Sequence, residues 1–289
     1  MYIKIKVNKL LLACCGIFIL AIGFTTLYSG FYPETVAVTT TEGVRLPIIM
    51  YHSILADKKL QGDYVISPNQ LEEDLKELNN CGYTTVTVNE LVDYVYNDKE
   101  LPQKCVMLTF DDGYYNNYLY AYPLLKKYKC KAVISPIAYY SQLYSKSDEV
   151  TAPSYSHCTW LQLKEMQDSG YVEIQNHSYN MHSQENRLGI RQQKGESDST
   201  YKQILIEDIT TAQNLIKDNV GYTPIAFTYP FGIMSNISEK TIKELGFKCS
   251  FICEERTNTI TKDKECLFML GRYLRTNKMT SKEIVDKLN

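Results

Sequence analysis

An α/β fold is predicted, with parallel strands gathered in a sheet or barrel and helices packed outside. Three observations predict it. Strand-like runs alternate with amphipathic helical stretches from about Arg45 onward. The runs Ile48-Ile49-Met50-Tyr51 and Cys105-Val106-Met107-Leu108-Thr109-Phe110 are almost continuously apolar, as strands covered on both faces are. Polar residues then stand directly after these runs, His52 after the first and Asp111-Asp112 after the second, where α/β folds keep their chemistry. At 289 residues the chain fits a single α/β barrel.

Each element has a local reason. Pro47 is tolerated before the first strand because it stands at the strand's start. Ser67 caps a helix with Pro68 at its first position, Leu71, Leu75 and Leu78 on one face, and Gly82 as the stop. The β-branched run Thr84 to Val88 reads as a strand. After the strand ending at Phe110 come a helix around Leu119 to Tyr128, a strand Lys131 to Ser135, a helix Thr159 to Ser169 and a strand Tyr171 to Gln175. A helix near Thr200 to Lys217, a strand Ile225 to Thr228, a helix Ser238 to Leu245 and a strand Lys248 to Ile252 continue the alternation. Ser183 to Ser199 is polar and aperiodic, a surface loop that is either a mobile lid or a plain insertion.

The first residues stand apart from this unit. Lys4, Lys6 and Lys9 precede an apolar, uncharged stretch from Leu10 to about Tyr28, close to spanning length. Residues 1–28 are expected to form a cytoplasmic stub and membrane anchor, or a signal peptide; the lack of an Ala-x-Ala cleavage site favours the anchor. Leu12-Ala13-Cys14 resembles a lipidation box only faintly, because the apolar stretch before Cys14 is too short. Residues 29–44 read as a polar tether, and 45–289 as the folded domain. With the lysines inside, the domain lies on the outer face of the cell membrane, or is secreted if the leader is cleaved.

Composition narrows the partners. Net charge is −2 with both signs interspersed, which leaves no basic field for nucleic acid. The 24 tyrosines could present flat amphipathic faces to sugar rings, although any one of them is better explained by packing. The nine cysteines form neither a metal quartet nor an even disulfide set outside the leader, so no pairing is assigned.

The residues that carry chemistry are Asp111, Asp112, His177 and His182. Histidines at i and i+5 point to different sides of a helix and therefore belong on a loop. Two imidazoles with one carboxylate form a three-ligand shell that leaves positions open for water and substrate. The second Asp is then free to act as a base, and Gly113 lets the chain turn sharply after the pair.

At these residues the chain resembles the polysaccharide deacetylases of carbohydrate esterase family 4, which share a nodulation-deacetylase homology domain. Thr109-Phe110-Asp111-Asp112-Gly113-Tyr114 is similar to the first family motif, His177-Ser178 with His182 to the second, and Tyr229-Pro230-Phe231-Gly232 to the third. The resemblance covers roughly Pro47 to the C-terminus. It implies a distorted (β/α)7 barrel that hydrolyses N-acetyl groups on N-acetylglucosamine-type units of a surface polysaccharide or peptidoglycan. Position by position it implies one divalent metal on Asp112, His177 and His182, Asp111 as base, and the Phe231 backbone N–H at the oxyanion beside Tyr229. Ser178 would orient a ligand or sugar, or simply cap its loop. Zinc is the expected ion, with Co, Ni or Fe alternatives. The implied partners are a glycan polymer and, through the anchor, a membrane, with the chain acting as a monomer.

Two departures from the family stand out. No His follows His182, so the general acid must come from His52 or His157. His52, at a strand mouth, is favoured; this resembles the permuted branch of biofilm poly-N-acetylglucosamine deacetylases. His157, in a Ser/Thr-rich loop, reads as solvated. The Arg that pairs with the base in the third motif is Thr228 here, and Arg272 is the candidate replacement, because a cation beside Asp111 keeps it ionised. A surface position for Arg272 is the plain alternative. Rival functions are a catalytically inactive glycan-binding module that retains the barrel, and a non-haem iron oxygenase, which leaves Asp111 without a use.

Overall fold

The apolar runs become neighbouring parallel strands. The computed structural model describes residues 43–147, 151–185 and 187–288. Its first part holds β1 (Val44–Leu46), β2 (Ile48–Tyr51), β3 (Ser53–Ile54), β4 (Val65–Ile66), α1 (Pro68–Asn80), β5 (Thr84–Thr85) and α2 (Val88–Asn97). The middle holds β6 (Cys105–Asp112), a π-helical turn (Asn117–Ala121), α3 (Tyr122–Tyr128), β7 (Ala132–Pro136), α4 (Ala138–Lys146), α5 (Trp160–Asp168) and β8 (Val172–Ile174). The last part holds α6 (Asp198–Val220), β9 (Ala226–Thr228), α7 (Asn236–Glu244), β10 (Cys249–Phe251), β11 (Asn258–Ile260), β12 (Tyr273–Leu274) and α8 (Ser281–Leu288).

The fold is α/β with a parallel sheet. Its order is β12-β2-β6-β7-β8, with β5 added along the start of β6. β9 and β10 form a second parallel pair. Single parallel bridges join Asn176 to Phe227 and Phe251 to Leu270, so the pairing path runs from β8 through β9 and β10 and returns to β12 and β2. All eight residues of β6 are buried, which is why this strand reads as apolar sequence, broken only by Thr109, until its two terminal aspartates.

Helices cover this frame through their apolar stripes. Leu71, Leu75 and Leu78 of α1 are buried, each stabilising the fold by about 1.5–3 kcal/mol. Ser67 and Gln70 exchange reciprocal bonds of 3.0 and 3.1 Å at its start, a capping box contributing about 1 kcal/mol. From Gly43 on the chain forms one unit. The anchor expected over 1–28 and nearly all of the tether lie outside the described residues; among those described, no helix is long and apolar enough to cross a membrane. The seven described cysteines are unpaired.

Several expectations need correction. Only Thr84 and Thr85 are strand; Thr87 caps α2, its backbone N–H donating to Glu90 at 2.9 Å, so a capping box overrides the β-branched preference. Helix α4 occupies a stretch that carries no clear helical stripe. The strands after Ile252, β11 and β12, are too short to show a period, whereas α8 buries Ile284, Val285 and Leu288 at helical spacing and is an element the sequence reading omits. The Ser183 to Ser199 loop is tied down: Arg187 makes two bonds to Glu196, of 2.9 and 2.6 Å, and Ile190 is buried, its carbonyl accepting from the Tyr201 hydroxyl at 2.6 Å.

Candidate active site

The ends of several parallel strands deliver the chemistry to one mouth. His52 follows β2, Asp111 and Asp112 end β6, His177 lies three residues past β8, and Phe231 lies in the turn after β9. With His182 these side chains line a cavity of about 540 Å³.

Asp112, His177 and His182 each offer a ligand atom, and the three atoms lie within 4.8 Å of one another. Both imidazole Nε2 atoms stand 3.5 Å from Asp112 Oδ1. His177 Nδ1 lies 2.8 Å from the Thr228 carbonyl, which can only accept, so Nδ1 carries the proton and Nε2 can turn a lone pair to a metal. Burial and the neighbouring His177 push His182 down to about 4, leaving it neutral near pH 7. Burial alone would raise Asp112, but the imidazoles of His177, His52 and His182 around it hold it well below the ordinary carboxylate range. Asp112 adopts φ +69, a left-handed conformation that costs a non-glycine residue on the order of 1–3 kcal/mol. Gly113 follows at φ +71, where a Cβ would meet Pro136 at 2.6 Å, so no side chain fits.

Asp111 points to a different partner. Arg272, fully buried, donates from Nη1 and Nη2 to its two oxygens at 2.7 and 2.8 Å. Arg272 is itself held by the Ile252 carbonyl at 3.1 Å and the Thr109 hydroxyl at 3.2 Å. Burial would raise the Asp111 pKa, yet this guanidinium and His177 bring it below its usual value. The His52 Nε2 stands 3.9 Å from Asp111 Oδ2, and the Asn117 amide donates to the His52 carbonyl at 2.8 Å.

The surface alternative for Arg272 is thus excluded. Thr228, in the place of the motif arginine, acts locally instead, its hydroxyl pairing with Ser135 at 2.8 Å while its carbonyl orients His177. Tyr229, expected at the substrate, does not line the cavity; its ring is fully buried, edge-on to Phe227 at 5.1 Å. Nor does Ser178, whose hydroxyl accepts the Met181 N–H at 3.1 Å and caps the loop. His157 is buried rather than solvated. Tyr114, Tyr64 and Cys253 also line the cavity and were not assigned from sequence; only Tyr114 had a signal, its place beside the Asp pair.

The donor set fits a divalent metal. One anionic oxygen, buried without a hydrogen-bond partner, faces two imidazoles of fixed or neutral form, and ligand atoms must be deprotonated to bind.

Residues 98–250 match the family model described as polysaccharide deacetylase. The chain is 31% identical to the putative polysaccharide deacetylase YxkH of Bacillus subtilis over 217 residues, 75% of this chain and 67% of that protein. It is 24% identical to the poly-β-1,6-N-acetyl-D-glucosamine N-deacetylase of Escherichia coli over 259 residues, 83% of this chain but only 38% of that relative. Among solved structures, a de-N-acetylase from Aggregatibacter actinomycetemcomitans superposes with a TM-score of 0.72 at 26% identity, covering 84% of this chain and 99% of that one.

Proposed function

We propose that this chain, which belongs to the polysaccharide deacetylase family, is a metal-dependent hydrolase that removes N-acetyl groups from N-acetylglucosamine-type units of a cell-surface polysaccharide. The observation that carries the reading is the cluster of Asp112, His177 and His182 beside a separate, arginine-held Asp111. We read the returning path of parallel strands as the distorted (β/α)7 barrel, and the N-terminal stretch as an anchor that leaves a monomeric domain outside the membrane.

Asp112, His177 and His182 would hold a divalent ion, zinc by default, which would supply Lewis-acid polarisation of the acetamide carbonyl and acidification of water. Asp111 accepts the proton of the attacking water, and Arg272 keeps it ionised for that purpose. The backbone N–H of Phe231 donates to the carbonyl oxygen as negative charge builds on it. His52, whose Nε2 shares the same small volume as Asp111, delivers a proton to the departing nitrogen so that it leaves as an amine.

The relatives' names point to poly-β-1,6-N-acetylglucosamine as the first polymer to try. The test offers zinc-loaded protein that polymer and, separately, peptidoglycan, and measures released acetate. Release from either identifies the substrate; saccharide binding with no acetate from either would support the inactive binding module instead.

A further inference from the structure

His157 is the one histidine to which the proposed chemistry assigns no role, yet it is buried against the site. Its ring is sandwiched between Tyr140, with centroids 4.4 Å apart and planes 14° from parallel, and Tyr114, at 4.7 Å and 29°. Backbone bonds pin its segment to the turn after β6: Tyr115 N–H donates to the Ser156 carbonyl and Cys158 N–H to the Gly113 carbonyl, both at 2.8 Å. Within that frame His157 Nδ1 stands 3.0 Å from the Asp112 carbonyl oxygen. A carbonyl can only accept, so Nδ1–H is the donor.

Asp112 is the metal-site residue with the strained backbone, at φ +69. Such a conformation persists only where the surroundings over-determine it. Its carbonyl accepts two N–H groups, from the Ile137 backbone at 3.2 Å and from His157. Its carboxylate meanwhile aims at both imidazoles, 3.5 Å from each.

We infer that His157 is a positioning residue for the metal centre: its Nδ1–H holds the Asp112 peptide in the left-handed conformation that turns the carboxylate toward His177 and His182. The inference rests on the proposed metal function, because only a bound cation makes the aim of that carboxylate matter. A purely packing role is separable by substitution. His157→Phe keeps an aromatic ring between the tyrosines and loses the donor. His157→Asn keeps an N–H at the Nδ1 position and loses most of the stack.

The test measures zinc dissociation constants of the full chain by competition with a chromophoric chelator, after metal-free melting curves establish that each variant folds. His157→Phe is expected to bind zinc about 10- to 100-fold more weakly, and His157→Asn to stay within about threefold of wild type. A His157→Phe value equal to wild type, or His157→Asn as weak as His157→Phe, overturns the inference. Should His157→Phe fail to fold, His157→Asn decides alone: retained affinity supports the donor role and a loss beyond about tenfold contradicts it. Wild-type protein that binds no zinc overturns the deacetylase reading as well, whereas zinc-binding wild type with an unaltered His157→Phe overturns this inference only.

Discussion

Arg272 meets Asp111 through two parallel hydrogen bonds of 2.7 and 2.8 Å, although 161 positions separate them in the chain. Both side chains are almost wholly shielded from water. A buried pair adds little net stability over an apolar substitute, but losing one partner strands the other charge. Arg272→Met should therefore destabilise the fold by about 3–5 kcal/mol in urea unfolding. The double variant Arg272→Met with Asp111→Asn should recover much of that loss, and equal loss in both would contradict the pairing argument.

Metal should stabilise the folded chain because the unfolded chain lacks the site. At a free zinc concentration of about 1000 Kd the gain is about 4 kcal/mol, visible as a higher melting temperature that EDTA reverses. Asp112→Ala removes the one anionic ligand and should abolish the shift. A variant that still responds fully would place the metal elsewhere.

His52→Ala probes proton delivery separately from metal binding. Steady-state kinetics should show kcat lowered by about 10²- to 10⁴-fold, the usual range for a general acid, with zinc content unchanged. An unaltered kcat would remove His52 from the mechanism.

Glu173 in β8 supplies a pH prediction away from the metal. It is buried, accepting the Asn89 N–H at 3.1 Å and the Gln175 amide at 2.5 Å, and burial raises its pKa above the ordinary value. The folded state then holds its proton more tightly than the unfolded state, so its contribution to stability is present at low pH and lost as pH rises through the raised value. Melting temperatures of Glu173→Gln relative to wild type should shift in favour of the variant as pH rises above the ordinary carboxylate range of about 4. A difference that shrinks with pH would reverse the assigned sign.

Much of the site was legible because its residues interrupt strong local patterns. Asp111 and Asp112 end an apolar strand, and two of four histidines fall in one loop. Arg272 could be named only as a candidate, since nothing near Gly271 signals that its side chain is buried across the fold against β6. β12 carries no period because it is two residues long, yet it pairs with β2 and stands directly after the arginine. His157 was misread for a related reason: its polar neighbours suggest a wet loop, while the bonds that bury it run to Gly113 and Tyr115, more than forty positions away. Tyr229 shows the converse, a motif residue whose backbone position is informative while its ring serves packing with Phe227.

The most direct test compares wild type and Asp111→Asn, both zinc-loaded, for acetate released from poly-β-1,6-N-acetylglucosamine, with zinc content measured in the same samples. The account predicts acetate from wild type, at least about 10²-fold less from the variant, and equal zinc in both. Undiminished release by the variant, or no release by zinc-replete wild type, would contradict it.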